Sequence, residues 1–192
     1  TQKGVSGVSA KDGSLLWTYD RRRPYPDVVI PTPVVEKNFV YITAGYGAGC
    51  DCAEITKSGN DFSAKKVYTN KYMKNTLGGV VYLDGYVYGA SEKRGWICQD
   101  FKTGRIKWFK KNVLDTGSLI YADGHLYCYD ENNAVVALVE ATSKGWNEKS
   151  RFKIPERGKM RAVSTRNWTR PVISNGKLYI RDQELLFCYE VK

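Results

Sequence analysis

The stretch CQDFKTGRIKW, Cys98–Trp108, decides how the rest of the chain reads. A near-copy, GVSAKDGSLLW, occupies Gly7–Trp17, and its turn glycine, Gly13, stands 91 residues before Gly104. In both copies a glycine at the tip of a short polar turn is followed four residues later by tryptophan. Alternating apolar segments on either side of such a turn make a β-hairpin. The same hairpin therefore occurs twice, and it is either chemistry or architecture.

A second set of segments decides between them. VVEKNFVY, VYLDGYVY, IYADGHLY and VISNGKLY each read as a strand, a two- or three-residue turn and a strand closing on tyrosine. Asp-Gly and Asn-Gly supply the positive-φ backbone that two-residue hairpin turns require. The closing tyrosines are Tyr41, Tyr88, Tyr127 and Tyr179, at gaps of 47, 39 and 52 residues. Between them fall the turn glycines Gly13, Gly59, Gly104 and Gly145, at gaps of 46, 45 and 41. Each repeat of about 46 residues thus holds four short antiparallel strands, and no segment carries a helical period. Four strands per repeat is one blade of a β-propeller, so the fold class is all-β with about four blades. The hairpin is architecture. Trp17 and Trp108 are sized to fill the wedge between blades, each burial contributing on the order of 2–3 kcal/mol. The second and fourth copies lose the tryptophan, and a slightly longer turn is expected there.

These residues resemble the tryptophan-docking motif of pyrroloquinoline-quinone-type propeller repeats, in which a small residue and an Asp precede Thr-Gly and a Trp lies four beyond the Gly. Cys98, Asp100, Thr103, Gly104 and Trp108 match it. Gly7, Gly13 and Trp17 match in the first copy, with Ser9 and Asp12 where Asp and Thr would stand. The segments PTPVV, GYGAG and ADGHLY are also similar to bacterial quinone-binding-like repeat proteins. The strand type of GVSGVSA recurs at LFCYEVK, so residues 1–192 read as one propeller segment, expected to belong to a ring of seven or eight blades.

The resemblance implies two functions. One is a non-catalytic binding or assembly platform, exported to the periplasm or cell surface, with no cofactor. The other is part of a quinone-dependent alcohol or polyol dehydrogenase, which would need the quinone, Ca²⁺, a stacking tryptophan and a disulfide between adjacent cysteines. Cys50 and Cys52 are separated by one residue and in a strand point to opposite faces, which disfavours a disulfide. Cys98, Cys128 and Cys188 read as packing residues. Asp130–Asn133 is oxygen-rich but reads as a solvated turn rather than a Ca²⁺ loop. With one histidine, His125 in a turn, no Ser-His-Asp or Cys-His arrangement can be assigned. No catalytic, cofactor or metal residue is expected.

Composition agrees with a globular chain: 42% hydrophobic and 13% aromatic residues among 192, with no apolar run long enough to span a membrane. Thr1 stands where a complete chain would have methionine, the start expected of a processed or truncated chain, from which a secretory signal could have been lost. The formal net charge is +10.

Propeller strands alternate in direction, so connections alternate between two faces. The connections on one face carry fourteen Lys and Arg against seven acids, 14 − 7 = +7. Arg21, Arg22, Arg23, Arg161, Arg166 and Arg170, with Tyr25 and Trp168 as aromatic contacts, are the candidate ligand-binding residues. An anionic ligand, polysaccharide or protein partner fits this face better than nucleic acid, because the aromatics form no stacking series.

Overall fold

The computed structural model describes residues 4–21, 29–162 and 164–191, all of them strand, turn or irregular chain without a helix. Arg22, Arg23 and Tyr25 lie outside the described residues. The seventeen strands form five antiparallel sheets. The first pairs β1 (Gly4–Val8) with β2 (Leu15–Asp20). Three four-stranded sheets follow. One holds β3 (Val34–Glu36), β4 (Phe39–Ala44), β5 (Gly49–Ser58) and β6 (Asp61–Asn70). The next holds β7 (Val80–Leu83), β8 (Tyr86–Ser91), β9 (Gly95–Asp100) and β10 (Ile106–Lys110). The third holds β11 (Gly117–Ala122), β12 (His125–Asp130), β13 (Val135–Glu140) and β14 (Glu148–Lys153). The last sheet holds β15 (Val172–Ser174), β16 (Lys177–Asp182) and β17 (Leu185–Glu190). Strands within each sheet are neighbours in sequence, the up-and-down order of a propeller blade.

Local sequence explains the hairpins. Asp84-Gly85, Asp123-Gly124 and Asn175-Gly176 all have both turn residues at positive φ, the mirror-image turn whose twist suits paired strands. Gly13, Gly59 and Gly104 are also at positive φ, at the β1–β2, β5–β6 and β9–β10 turns. At the last of these, Asp100 accepts from the Thr103 N–H and hydroxyl, both at 2.8 Å, so the Asp and Thr of the motif close their own turn.

The core lies between blades. One apolar cluster joins the first two sheets around Tyr19, Val40, Ile42 and Ala53, with Trp17 packed against it. A second, with Tyr41, Cys52, Val87 and Phe101, joins the second and third. Trp96, Leu119, Leu126 and Val139 join the third and fourth, and Tyr129, Val136, Leu178 and Ile180 the fourth and fifth. The first strands β3, β7, β11 and β15 adjoin in succession, placing them on the inner side.

The docking pattern is clearer in three dimensions. Trp17 pairs across the hairpin with Gly7, and Trp108 with Cys98. A Cβ at Gly7 would overlap the Trp17 indole, which is why the motif needs a small residue there. In the second sheet the same register places Tyr68 opposite Cys52. Tyr68 donates to the Phe101 carbonyl at 2.8 Å, as Trp108 Nε1 donates to the Thr142 carbonyl at 2.8 Å, each reaching the next blade. Tyr68 therefore takes the docking position that sequence spacing leaves empty. The expected longer turn is absent there: β5 and β6 are each ten residues long, and the extra residues extend the strands around a tight Gly59-Asn60 turn. The longer connection does appear between β13 and β14, where Trp146 packs on Trp96 and Trp108 with ring centroids 5.9 and 6.1 Å apart.

Candidate binding site on the loop face

The structure divides the predicted cations into two groups. Arg21, at the end of β2, is 5% exposed; its Nε contacts Asp51 Oδ2 at 2.6 Å and its Nη2 donates to the Gly49 carbonyl at 3.1 Å. Asp51 also accepts from Tyr19 and Thr69. Arg21 is thus a pin between the first and second sheets rather than a surface contact, because its residues face a neighbouring blade that brings a buried carboxylate into reach.

Arg161 is likewise turned inward. It pairs with Asp182, at the end of β16, and donates to Asn167 Oδ1 at 2.8 Å and the Thr165 carbonyl at 2.6 Å. Arg157 joins the same network, with Nε 2.9 Å from Asp182 Oδ2, Nη1 3.1 Å from the Asn132 carbonyl and Nη2 3.0 Å from Asn167 Oδ1. Burial works against the Asp182 charge, yet the Gly158 N–H and then the Arg157 and Arg161 guanidiniums outweigh it and hold its pKa below the ordinary value. Asn167 is buried and donates to the Asp130 carbonyl at 3.0 Å. The connection between β14 and β15 is therefore anchored from within.

Arg166, Trp168 and Arg170 project from that anchored segment. Trp168 is 58% exposed, with its Nε1 3.3 Å from Glu131 Oε2. Arg166 and Arg170 are exposed, and the Arg170 guanidinium lies over Gly79. Of the predicted contacts within the described residues, these three are the exposed ones. Their sequence neighbours Arg157, Arg161 and Asn167 hold it in place.

In the Asp130–Asn133 turn, Asn133 is exposed and Glu131 and Asn132 are half-buried, but Asp130 is not solvated. It is 2% exposed, and Oδ1 accepts the Asn132 and Asn133 N–H groups at 2.6 Å each. The cysteines are all free; four are buried and Cys188 is exposed on β17. Cys98 and Cys188 do hold equivalent places, opposite Tyr88 and Tyr179.

Among the described residues no group of three or more His, Cys, Asp or Glu is arranged to hold a metal.

Below Arg166 and Trp168 lies a cavity of about 200 Å³, walled by the connections of three successive blades. Two carboxylates stand in equivalent places on it. Glu92 follows β8 and accepts from Thr76 Oγ1 at 2.6 Å and the Gly47 N–H at 3.1 Å. Glu131 follows β12 and accepts from Thr116 Oγ1 at 2.8 Å. Sequence spacing did not single out Glu92 or Thr76 and Thr116; the signal that Glu92 shares with Glu131 is position, one residue past the second strand of a blade.

Antiparallel four-stranded sheets in up-and-down order, joined by interblade apolar seams, are those of a β-propeller of the pyrroloquinoline-quinone-like class. The chain belongs to the family described as outer membrane protein assembly factor BamB, whose model matches residues 1–145. Among solved structures it is similar to BamB from Moraxella catarrhalis, at 14% identity and a TM-score of 0.66, covering 97% of this chain and 51% of that one. The computationally designed Ika8 protein gives a TM-score of 0.70 at 7% identity, covering 99% and 53%. A chain of the mitotic checkpoint complex gives 0.54 at 9% identity, covering 99% and 71%. These likenesses show the fold. The chain spans about half the length of the first two. No curated protein matches it in sequence. Among the described residues no helix is long and apolar enough to cross a membrane.

Proposed function

We propose that this chain is part of a non-catalytic assembly platform, exported to the periplasm or cell surface, that holds a protein partner on its loop face without a cofactor. The supporting observation is the segment carrying Arg166, Trp168 and Arg170, exposed at its surface and anchored beneath by Arg157, Arg161 and Asn167. Arginine and tryptophan are the side chains most enriched at binding hot spots, and anchoring lowers the ordering cost of association. Family membership supports the assembly role and the outer-membrane setting.

The partner chemistry we assign is an acidic segment of protein. The cationic surface is smaller than the sequence implies, because Arg21 and Arg161 are spent on internal ion pairs. Calorimetric titration with an acidic peptide of alternating Glu and Leu should show binding that falls about tenfold in the Arg166→Gln, Arg170→Gln double variant. Arg157 and Arg161 stay unaltered in that variant. Equal affinity in the variant would remove the basic face from the proposal. A parallel titration with pyrroloquinoline quinone and Ca²⁺ should leave the quinone spectrum unchanged. A saturable spectral shift would replace the platform with the dehydrogenase.

A further inference from the structure

One cross-strand column changes its contents in the fourth sheet. Tyr41, Cys52 and Tyr68 stand opposite one another in the second sheet, and Tyr88, Cys98 and Trp108 in the third. The first sheet has the matching pair Gly7 and Trp17. In the fourth sheet the column reads Tyr127, Leu138 and Ser150. The small and the large residue have exchanged places, and the docking position on β14 carries a hydroxymethyl group instead of a ring.

Leu138 does not fill the difference. A cavity of about 330 Å³ remains, walled by Tyr127, Val136 and Leu138 from the fourth sheet and by Leu178, Tyr189 and Val191 from the fifth. Phe152 also lines it, its ring centroid 4.7 Å from that of Tyr189. Ser150 and Glu190 are the polar members of the lining, and both are exposed, so the cavity opens to the surface. Ser150 belongs to a sheet with all four strands in place, and it is this side chain that leaves the docking position empty.

The other blades show which guest fits the position: an indole in the first and third sheets and a phenol in the second. Tyr68 and Trp108 end on a backbone carbonyl of the next blade, that of Phe101 or Thr142. Val191 holds the place of Phe101 in the fifth sheet, since each donates its N–H to the carbonyl of a hairpin glycine, Gly176 or Gly85. Apolar cavities take aromatic guests; one of about 150 Å³ lined by Leu, Ile and Phe holds benzene. The present one falls within the roughly 300–1,000 Å³ of preformed ligand sites.

We infer that this cavity is a docking pocket for a protein partner and receives a tryptophan side chain in the position that Ser150 leaves empty. A preformed apolar pocket around an aromatic anchor is where binding energy concentrates at protein interfaces. No cation lines it, so an acidic segment finds nothing here. The inference is independent of the platform reading, which rests on Arg166, Trp168 and Arg170.

The experiment is a heteronuclear NMR titration of the purified protein with the capped tripeptide Ala-Trp-Ala, its Ala-Leu-Ala counterpart and free indole. The tryptophan peptide should bind in the high micromolar to millimolar range and shift the amides of Leu138, Ser150 and Val191, with the leucine peptide about tenfold weaker. The Leu138→Cys, Ser150→Trp double variant rebuilds the pair seen in Cys98 and Trp108; it should abolish binding and raise the unfolding midpoint. Ser150→Lys changes an exposed residue at the mouth and serves as the second variant, weakening binding about tenfold with the midpoint unmoved. No saturable shift at about 10 mM peptide, the weak end of specific affinity, would overturn the site. Equal binding of the leucine peptide, shifts centred elsewhere or full affinity in Ser150→Lys would do the same. Binding of indole without the peptide would replace the protein partner with a small molecule and overturn the inference as stated.

Discussion

Trp108 and Thr142 belong to different blades, yet the Trp108 indole N–H donates to the Thr142 carbonyl at 2.8 Å. The docking side chain is therefore a wedge with a directional bond at its tip, and that bond sets how one blade leans on the next. Tyr68 and Phe101 repeat the relationship one blade earlier with a phenol in place of the indole.

Two substitutions separate wedge from bond. Trp108→Phe keeps most of the ring and loses the donor, and should cost about 1 kcal/mol. Trp108→Ala also leaves a cavity between blades and should cost about 3 kcal/mol. Urea unfolding followed by circular dichroism measures both. Equal costs would mean that ring packing contributes nothing.

The Arg21–Asp51 pair should behave as a buried interblade pin. Arg21→Met or Asp51→Leu alone should destabilise by about 3–5 kcal/mol, since each strands a buried charge. The double variant should cost less than the two single changes added together, with a coupling of about 1–3 kcal/mol. Additive costs in the cycle would show that the two residues act separately.

Acid unfolding should report Asp182. Its pKa is depressed in the folded protein, so below the ordinary Asp value of about 3.9 the unfolded chain takes up the proton first. The stability it contributes is therefore present above that pH and is lost as pH falls toward the folded value. Asp182→Asn should be less stable at neutral pH and should show a shallower acid limb between about pH 4 and pH 2. An acid limb with the wild-type slope would exclude Asp182 as a source of it.

Thiol reactivity should follow burial. Burial pushes Cys52 and Cys98 up to about 12, and it also raises Cys50 and Cys128. The thiolate is the reactive form. Iodoacetamide at pH 8 should label Cys188 alone in the native protein and all five cysteines after unfolding, read by intact mass. Rapid native labelling at Cys50 or Cys52 would show that the β4–β5 hairpin opens.

The hairpins were legible because their signals are local. Asp-Gly and Asn-Gly turns, alternating apolar residues and the Asp100-Thr103 turn closure act over a few residues. Tyr68 was not legible, because two long strands shift the docking position away from the expected four-residue spacing, and only the Cys52–Tyr68 register reveals it. Glu92 escaped notice, and Glu131 was read only as part of an oxygen-rich turn, because a carboxylate in a polar turn looks the same whether it faces water or clasps a threonine.

By itself the sequence determined the repeat, the blade and the class of fold, since period and turn chemistry are written into neighbouring residues. Tertiary structure alone decided which cations remain available. Arg21 meets Asp51 thirty residues away and Arg161 meets Asp182 twenty-one residues away. Arg166 and Arg170, in the same basic stretch as Arg161, stay at the surface. A charge count sees these arginines as equal. Pairing depends on which carboxylate the neighbouring blade brings within reach, and burial then removes the pair from the surface field.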